Sequence, residues 1–268
     1  EGFAVILKKM FTEVKSMLFD THAHMNDPAF DADREEVLLG LKEKGVELIM
    51  NVGCCLESSR DCIAMAEKYP FVYASVGTHP DAADEVDDGV LEAYRQMARH
   101  PKVKAIGEIG ADYYYETVPR QIQLKAFRMQ MELAREVGLP VIVHERNAHD
   151  DGMRVVKEFK DVTGVFHCYS GSAEMARQLV DLGWYIGFTG VLTFKNARQA
   201  PEVARMVPED RFLTETDCPY LAPHPNRGKI NRSDYMSYTI ATLAELFNMP
   251  TEEMITLTRK NAETLFRL

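Results

Sequence analysis

The chain has 268 residues, 46% of them hydrophobic and 27% charged, which is enough to bury the core of one large globular domain and excludes a disordered protein. Acidic residues outnumber basic ones by 41 to 31, and the net charge of −10 argues against nonspecific coating of nucleic acid. The five cysteines form no CxxC pair and predict reduced thiols in the cytoplasm. No apolar run approaches the ~20 residues that span a bilayer, so we expect no membrane segment.

Residues 1–16 carry no recognisable motif, and Met17 directly precedes the first strong strand signal. We interpret residues 1–16 as an N-terminal extension or a remnant of cloning, and residues 17–268 as the functional domain.

From Met17 onward, short β-branched apolar runs alternate with longer segments of helical period, as in repeated βα units on a parallel sheet. The predicted strands are 18–24, 46–52, 71–77, 103–108, 141–144, 164–168, 185–189 and 212–217. The predicted helices between them are 33–44, 57–68, 89–99, 120–137, 151–160, 173–182 and 197–206, and two more follow the last strand. Eight units in about 250 residues predict an α/β fold of the (β/α)8 or TIM-barrel type in a single domain.

The first predicted strand ends in two histidines, His22 and His24, whose side chains point the same way because strand side chains alternate. Such a pair is equally well interpreted as two buried, hydrogen-bonded histidines. Four more residues of ligand type, however, lie at the carboxyl ends of strands four, five, six and eight, where barrel enzymes build their active sites. They are Glu108, His144, His167 and Asp217. Together the six residues predict a metal centre.

Six protein ligands exceed the three of a typical catalytic zinc and favour two divalent cations, with Glu108 as the bridge. Imidazole and carboxylate donors suit Zn, Mn, Co or Ni, and a bridging carboxylate also admits Mg, so the donor set leaves the metal open. Asp217 is placed both to bind a cation and to orient an attacking water. Asp217 and Glu108 are therefore the predicted catalytic residues.

Six stretches, in order from residue 18 almost to the end, are similar to the TatD family of metal-dependent deoxyribonucleases. They are FDTHAH, GTHP, GEIGADYY, PVIVHERNA, FHCYSGS and ETDCPYLAP. The resemblance implies an amidohydrolase-like TIM barrel that uses divalent metal, typically Mg, to trim single-stranded DNA from the 3′ end or to nick DNA. It also implies one metal at His22, His24 and Asp217. The second would lie at His144 and His167, with Glu108 shared.

Other residues are candidates for contact with substrate. The resemblance implies that His79, in the GTHP turn, holds a substrate phosphate, although a turn histidine can also simply stabilise its loop. Arg146 and the loop carrying Arg227 and Lys229 could clamp phosphate, because guanidinium groups match its oxygens; without the site they would be solvated surface charge. Glu215 lies two residues before a predicted ligand, on the same side of its strand. It could be an inward-facing core carboxylate, but we expect it to support the metal site.

Two further features concern the substrate. Tyr113, Tyr114 and Tyr115 could stack a base, although a tyrosine run after a strand more often packs against the fold. The chain departs from the family pattern at Ala111, Ile230 and Ser233, and none of these is a predicted metal position.

The leading interpretation is therefore phosphodiester hydrolysis, with DNA, in particular single-stranded DNA, as the binding partner and no obligate protein partner. An alternative is a metal-dependent amidohydrolase or deacylase acting on an acyl substrate. It is disfavoured because Glu108 stands where many amidohydrolases use a modified lysine as the bridge. A noncatalytic barrel that binds nucleic acid or protein would leave the six ligand-type residues unexplained.

Overall fold

The structure, a computed structural model, describes residues 17–268, so the interpretation of residues 1–16 lies outside the described residues. Eight parallel strands follow one another in chain order around one sheet. They are β1 (Leu18–Ala23), β2 (Val46–Val52), β3 (Val72–Val76), β4 (Val103–Asp112), β5 (Val141–Arg146), β6 (Gly164–Phe166), β7 (Tyr185–Phe188) and β8 (Phe212–Thr214). A bridge between Ala23 and Cys218 connects the first strand to the segment after the last. The predicted (β/α)8 barrel is confirmed.

Helices alternate with the strands and cover the outside of the barrel. Those of the described chain are α1 (Arg34–Gly40), α2 (Leu56–Lys68), α3 (Asp88–Met97), α4 (Arg120–Val137), α5 (His149–Glu158), α6 (Ala173–Asp181), α7 (Gln199–Met206), α8 (Met236–Phe247) and α9 (Thr251–Phe266). None of the helices in residues 17–268 is both long enough and apolar enough to cross a membrane.

Some predicted boundaries are wrong. Strand β4 does not stop at Glu108 but continues to Asp112, because its last four residues pair with the end of β5. Strand β8 stops at Thr214, so Asp217 lies beyond the strand instead of at its end. The predicted helix 33–44 is interrupted after Gly40, and a tighter 3-10 turn follows it.

The lower part of the barrel is filled by one apolar layer to which every strand except β3 contributes a buried side chain. The layer consists of Phe19, Met50, Ala105, Ile142, Val165, Tyr185 and Leu213, together with Val52, with Tyr73 and the end of α9 packed against it. This layer fills the interior at the amino-terminal ends of the strands. The carboxyl-terminal ends can therefore carry polar side chains.

Irregular pairing in two strands decides which residues reach the barrel mouth. With strict alternation, Ala105 and Glu108 would point to opposite faces of β4. The pairing register shifts between Ile106 and Ile109, and this bulge turns Glu108 toward the interior that Ala105 also faces. A similar shift lies between Asp20 and Ala23 in β1.

Candidate metal centre

Imidazole and carboxylate side chains from five places in the chain converge at the carboxyl-terminal mouth of the barrel. They come from the end of β1 and the residue after it, from β4 and β5, and from the segments after β6 and β8: His22, His24, Glu108, His144, His167 and Asp217. Three of them are almost completely buried, at 0% exposure for His22, 2% for Glu108 and 5% for His167. The structure therefore brings together all six residues that the sequence singled out as ligands.

The Glu108 carboxylate lies between two pairs of imidazoles. Oε1 is 2.9 Å from His144 Nδ1 and 2.7 Å from His167 Nε2. Oε2 is 3.5 Å from His22 Nε2 and 3.7 Å from His24 Nε2. Each oxygen thus faces one pair, which is the arrangement of a carboxylate that bridges two cations.

Within each pair, ring nitrogens face one another at close range. His22 Nε2 and His24 Nε2 are 3.2 Å apart, and His144 Nδ1 and His167 Nε2 are 3.1 Å apart. Two nitrogens bound to one cation at about 2.1 Å, at angles between octahedral and tetrahedral, are separated by about 3.0–3.4 Å. The donor set and its spacing therefore fit one cation at each pair.

Asp217 completes the side of the site that carries His22 and His24. Its Oδ1 is 3.4 Å from His24 Nε2 and 3.7 Å from His22 Nε2. The position is fixed by a backbone contact with the neighbouring β1, since the Asp217 amide donates to the carbonyl of His22 at 2.9 Å. The buried carboxylate of Asp20 accepts hydrogen bonds from both the amide and the hydroxyl of Thr216 and holds the same segment against β1.

The electrostatics of the site call for positive charge. Burial alone would lower the pKa of His144, but hydrogen bonds to Asp112 and Glu108 outweigh it and raise that pKa to about 10. Burial likewise opposes ionisation of Glu108, yet the neighbouring His167 imidazole and the hydrogen bonds from His144 and His167 hold its pKa well below the usual range. By contrast, burial lowers the pKa of His22 to about 4, which leaves this imidazole neutral and able to donate its lone pair. Divalent cations would supply the charge that the carboxylates attract.

Neighbouring groups orient the imidazoles. His24 Nδ1 is 3.1 Å from the carbonyl of Val52, which leaves Nε2 directed into the site. His167 Nδ1 is buried without a hydrogen bond and lies 3.7 Å from Glu215 Oε1. Glu215 also accepts the Cys168 amide at 2.5 Å, and its burial raises its pKa well above the usual range. Glu215 thus lies beside a candidate ligand, and its supporting role stays a prediction.

Sequence reasoning missed Asp112, which contacts the site directly. Its Oδ2 is 3.1 Å from His144 Nε2, and its Oδ1 accepts the amides of Tyr114 and Tyr115. A carboxylate behind a metal-binding imidazole fixes the ring and makes the facing nitrogen a better donor. The signal was present, because Asp112 stands four residues after Glu108 in the GEIGADYY stretch.

We expect Asp112→Asn to weaken metal binding at the His144 side by roughly 10–100-fold, because the amide keeps the shape but not the charge that orients the imidazole. Isothermal titration with Mn²⁺ would measure the change. Asp150→Asn, a change to an exposed residue at the start of α5, is the matched control. An unaltered metal affinity in the Asp112 variant would show that this carboxylate only stabilises the following loop through its hydrogen bonds to the amides of Tyr114 and Tyr115.

The candidate substrate contacts fall into two groups. His79 is in the mouth, with its ring 4.3 Å from that of His144 and its Nδ1 2.7 Å from Asp81 Oδ1. Arg146 ends β5, and its guanidinium lies 3.8 Å from the ring centre of Tyr114.

The remaining two candidates lie in the loop after β8. There Arg227 stacks on Phe194 at 3.9 Å, and Lys229 contacts the Asn226 side chain at 3.2 Å. Among the described residues, neither of these cations contacts the imidazole and carboxylate cluster.

Comparison with known proteins identifies the family. Residues 19–267 match the family model described as TatD related DNase. The metal-dependent hydrolase YabD of Bacillus subtilis, itself described as uncharacterized, is 44% identical over 94% of this chain and 100% of its own length. The metal-dependent hydrolase TatD of Mycobacterium tuberculosis, likewise described as uncharacterized, is 36% identical over 94% of this chain and 98% of its own.

A solved structure gives the same result. The TatD homologue YJJV of Escherichia coli has a TM-score of 0.89 and 32% identity, covering 95% of this chain and all of its own. An organophosphorus hydrolase from Deinococcus radiodurans, at 14% identity and a TM-score of 0.61, shares the fold alone. With a family model matching almost the whole chain and close relatives of full length, this chain belongs to the TatD family of metal-dependent hydrolases.

Proposed function

We propose that this chain hydrolyses phosphodiester bonds of DNA, acting as a 3′-to-5′ exonuclease on single strands with two divalent cations. The observation that carries the proposal is the Glu108 carboxylate, with one oxygen facing each imidazole pair. Two cations a few ångströms apart suit displacement at phosphorus, where the attacking and leaving oxygens both carry negative charge. The family description also points to DNA.

The metal ligands proposed are His22, His24 and Asp217 for one cation and His144 and His167 for the other, with Glu108 shared. Such cations lower the pKa of a bound water and neutralise charge on the phosphate. Mg²⁺ is the proposed physiological metal from the family resemblance, whereas the imidazoles also accept Zn²⁺, Mn²⁺, Co²⁺ or Ni²⁺.

Asp217 and His79 have distinct roles in this proposal. Asp217 Oδ1 faces the His22 and His24 nitrogens, where its carboxylate orients the attacking water and accepts its proton. Asp81 holds the Nδ1 side of His79, which leaves Nε2 to hydrogen-bond a phosphate oxygen. Arg227 and Lys229 would contact phosphates farther along the strand.

Exposed aromatic side chains beside the mouth support a single-stranded substrate. Tyr114 and Tyr115 are 58% and 67% exposed although they are large rings, and the Arg146 guanidinium stacks on the first. Aromatic and guanidinium planes bind unpaired bases without sequence preference, whereas bases inside a duplex are already stacked. The net charge of −10 fits a short strand held at few basic contacts.

We expect Tyr114→Ala to raise KM for single-stranded DNA roughly 5–150-fold, because stacking contributes about 1–3 kcal/mol per base. The value of kcat should change much less, since the ring does not reach the reacting phosphate. Steady-state kinetics on an oligonucleotide would test this. Tyr114→Phe keeps the ring and should retain the wild-type KM; a loss of kcat alone in the alanine variant would contradict a role in binding.

The proposed function is tested by a digest of oligonucleotides labelled at the 3′ or the 5′ end, single- or double-stranded, with Mg²⁺ or Mn²⁺. Stepwise shortening from the 3′ end of the single strand, stopped by chelator, is expected. If DNA is not cleaved but amide, ester or lactone substrates are hydrolysed in a metal-dependent way, the deacylase alternative would replace this proposal. We also infer a cytoplasmic location, which the five unbonded cysteines support.

A further inference from the structure

A third exposed tyrosine lies beside the candidate metal centre. Tyr220 is 54% exposed, and among the tyrosines of the described chain only Tyr114 and Tyr115 are more exposed. Its ring centre is 6.3 Å from that of His24, and the two ring planes meet at 65°. An aromatic surface is therefore open to solvent directly next to a candidate metal ligand.

Hydrogen bonds hold this ring in place although it is exposed. Its hydroxyl donates to Asp27 Oδ2 at 2.9 Å, and the other oxygen of that carboxylate accepts the Ala29 amide at 2.8 Å. Arg34 donates to the carbonyls of Met25 and Asp27 at 2.7 and 3.0 Å, and so fixes the loop that carries this carboxylate. A side chain that is already ordered loses little conformational entropy when a ligand packs against it.

The hydroxyl contact joins the two loops that carry ligands of one proposed cation. The amide of Asp27 donates to the carbonyl of His24 at 3.0 Å, and the amide of Tyr220 donates to the carbonyl of Asp217 at 2.8 Å. Each partner of the contact thus ends a turn that begins at a proposed ligand. The ring consequently borders the cation position at His22, His24 and Asp217.

Tyr114 borders the other cation position. The Asp112 carboxylate contacts His144 Nε2 through Oδ2 and accepts the Tyr114 amide through Oδ1. Tyr115 lies beside it, with the two tyrosine ring centres 4.9 Å apart. In the described structure, two exposed tyrosine rings therefore border the His144 side of the centre and one borders the His24 side. A phosphate bound across both cations would have an exposed ring on each side of it.

We propose that the Tyr220 ring stacks on the base of the 3′-terminal nucleotide, the one that is released, while Tyr114 and Tyr115 hold bases that remain in the strand. The inference rests on the exonuclease activity proposed above. A 3′-to-5′ exonuclease has a single nucleotide on the 3′ side of the scissile phosphate and a longer strand on the 5′ side. One ring beside one cation and two beside the other match that asymmetry. Because every base has a π-face, such a contact accepts any terminal base.

Removal of a base from the substrate, combined with removal of the ring from the protein, tests this pairing by steady-state kinetics. With an ordinary single strand, Tyr220→Ala should raise KM roughly 5–150-fold, the range for loss of one base–aromatic stack. With a 3′-terminal nucleotide that carries no base, the wild type and the variant should have the same KM. An effect of Tyr220→Ala that is equally large on the abasic terminus would overturn the proposal.

Tyr114→Ala provides the reverse contrast. Its effect on KM should persist when the terminal base is missing and should disappear when the bases on the 5′ side of the cut are removed. If the effect of Tyr220→Ala also disappears only with those bases, the ring binds the retained strand and the assignment to the terminal nucleotide is wrong.

A role of Tyr220 in fixing His24 would give a different result. Substrate contact predicts that Mn²⁺ affinity, measured by isothermal titration, stays close to the wild-type value in Tyr220→Ala. Weaker Mn²⁺ binding, with an equal loss of kcat/KM on normal and abasic ends, would assign the ring to the metal site instead. Tyr220→Phe keeps the ring without the hydrogen bond to Asp27 and should raise KM less than the alanine variant does.

A measurement on the wild type avoids any effect of a substitution on folding. A single strand with iodouracil as its 3′-terminal base and a hydrolysis-resistant last linkage should crosslink to Tyr220 on irradiation, as located by mass spectrometry of peptides. Iodouracil on the 5′ side of that linkage should crosslink to Tyr114 or Tyr115. A terminal base that crosslinks elsewhere, or not at all, would overturn the inference while DNA cleavage by the wild type upholds the proposed function. A wild type that cleaves no DNA would overturn both.

Discussion

Glu108→Gln should lower kcat/KM for DNA by about 10³-fold or more, equivalent to about 4 kcal/mol of transition-state stabilisation. The carboxylate faces an imidazole pair with each oxygen. Glutamine has a similar shape but no charge. Its amide group would direct N–H hydrogens at the nitrogen lone pairs of the two imidazoles on one side. Neither cation would then be held in place, and the metal content of the purified protein should fall at both positions.

The measurement combines the rate of oligonucleotide hydrolysis with metal analysis by mass spectrometry and with far-UV circular dichroism to verify the fold. Glu43→Gln, the same change at an exposed position, should behave as the wild type. Hydrolysis at near-normal rate by a metal-loaded Glu108→Gln protein would eliminate the bridging role, and with it the proposed assignment of ligands.

Asp217→Asn should lower kcat by roughly 10²–10⁴-fold, the usual contribution of a positioned acid–base group. Asp217 Oδ1 is directed at both imidazoles of the first pair. The asparagine oxygen can still contact a cation, so binding should weaken at this position only, while the site at His144 and His167 stays occupied. Loss of one metal instead of two distinguishes this variant from Glu108→Gln.

Single-turnover kinetics at saturating DNA would measure the effect on the chemical step without that of product release. Asp61→Asn, on the exposed face of α2, is the matched control. A variant that retains kcat while KM rises would show that Asp217 only helps to bind substrate, and another group would have to accept the proton.

Strand order and the places where ligands converge could be predicted because they depend on local patterns. Alternating βα signals identify the barrel, and its strand ends meet at one rim, so His144 and His167 could be placed from their strands alone. Glu108 lies at the barrel mouth although strict alternation would turn it away from the interior. The bulge between Ile106 and Ile109 that redirects its side chain gives no clear signal in the sequence.

The contacts that were missed depend on tertiary structure. Asp112 stood in a segment expected to be loop, and only pairing with β5 makes it strand. Cys54, just after β2, was not singled out, and its Sγ lies 3.8 Å from Glu108 Oε2 only because the fold brings β2 and β4 together. Arg227 and Lys229 lie on a long loop whose direction no periodic pattern determines, and the described structure leaves them in contact with Phe194 and Asn226.

The short β8 has a consequence for stability. It has three residues, and one bridge joins Ala23 to Cys218 where the two ends of the sheet meet. His22 and His24 lie on the β1 side of this junction and Asp217 on the β8 side. An ion bound to all three would therefore connect the two edges of the sheet where one bridge joins them. An ion that binds the folded protein and not the unfolded chain raises the free energy of unfolding through its binding free energy. The same metal ion would then both support catalysis and stabilise the closed barrel.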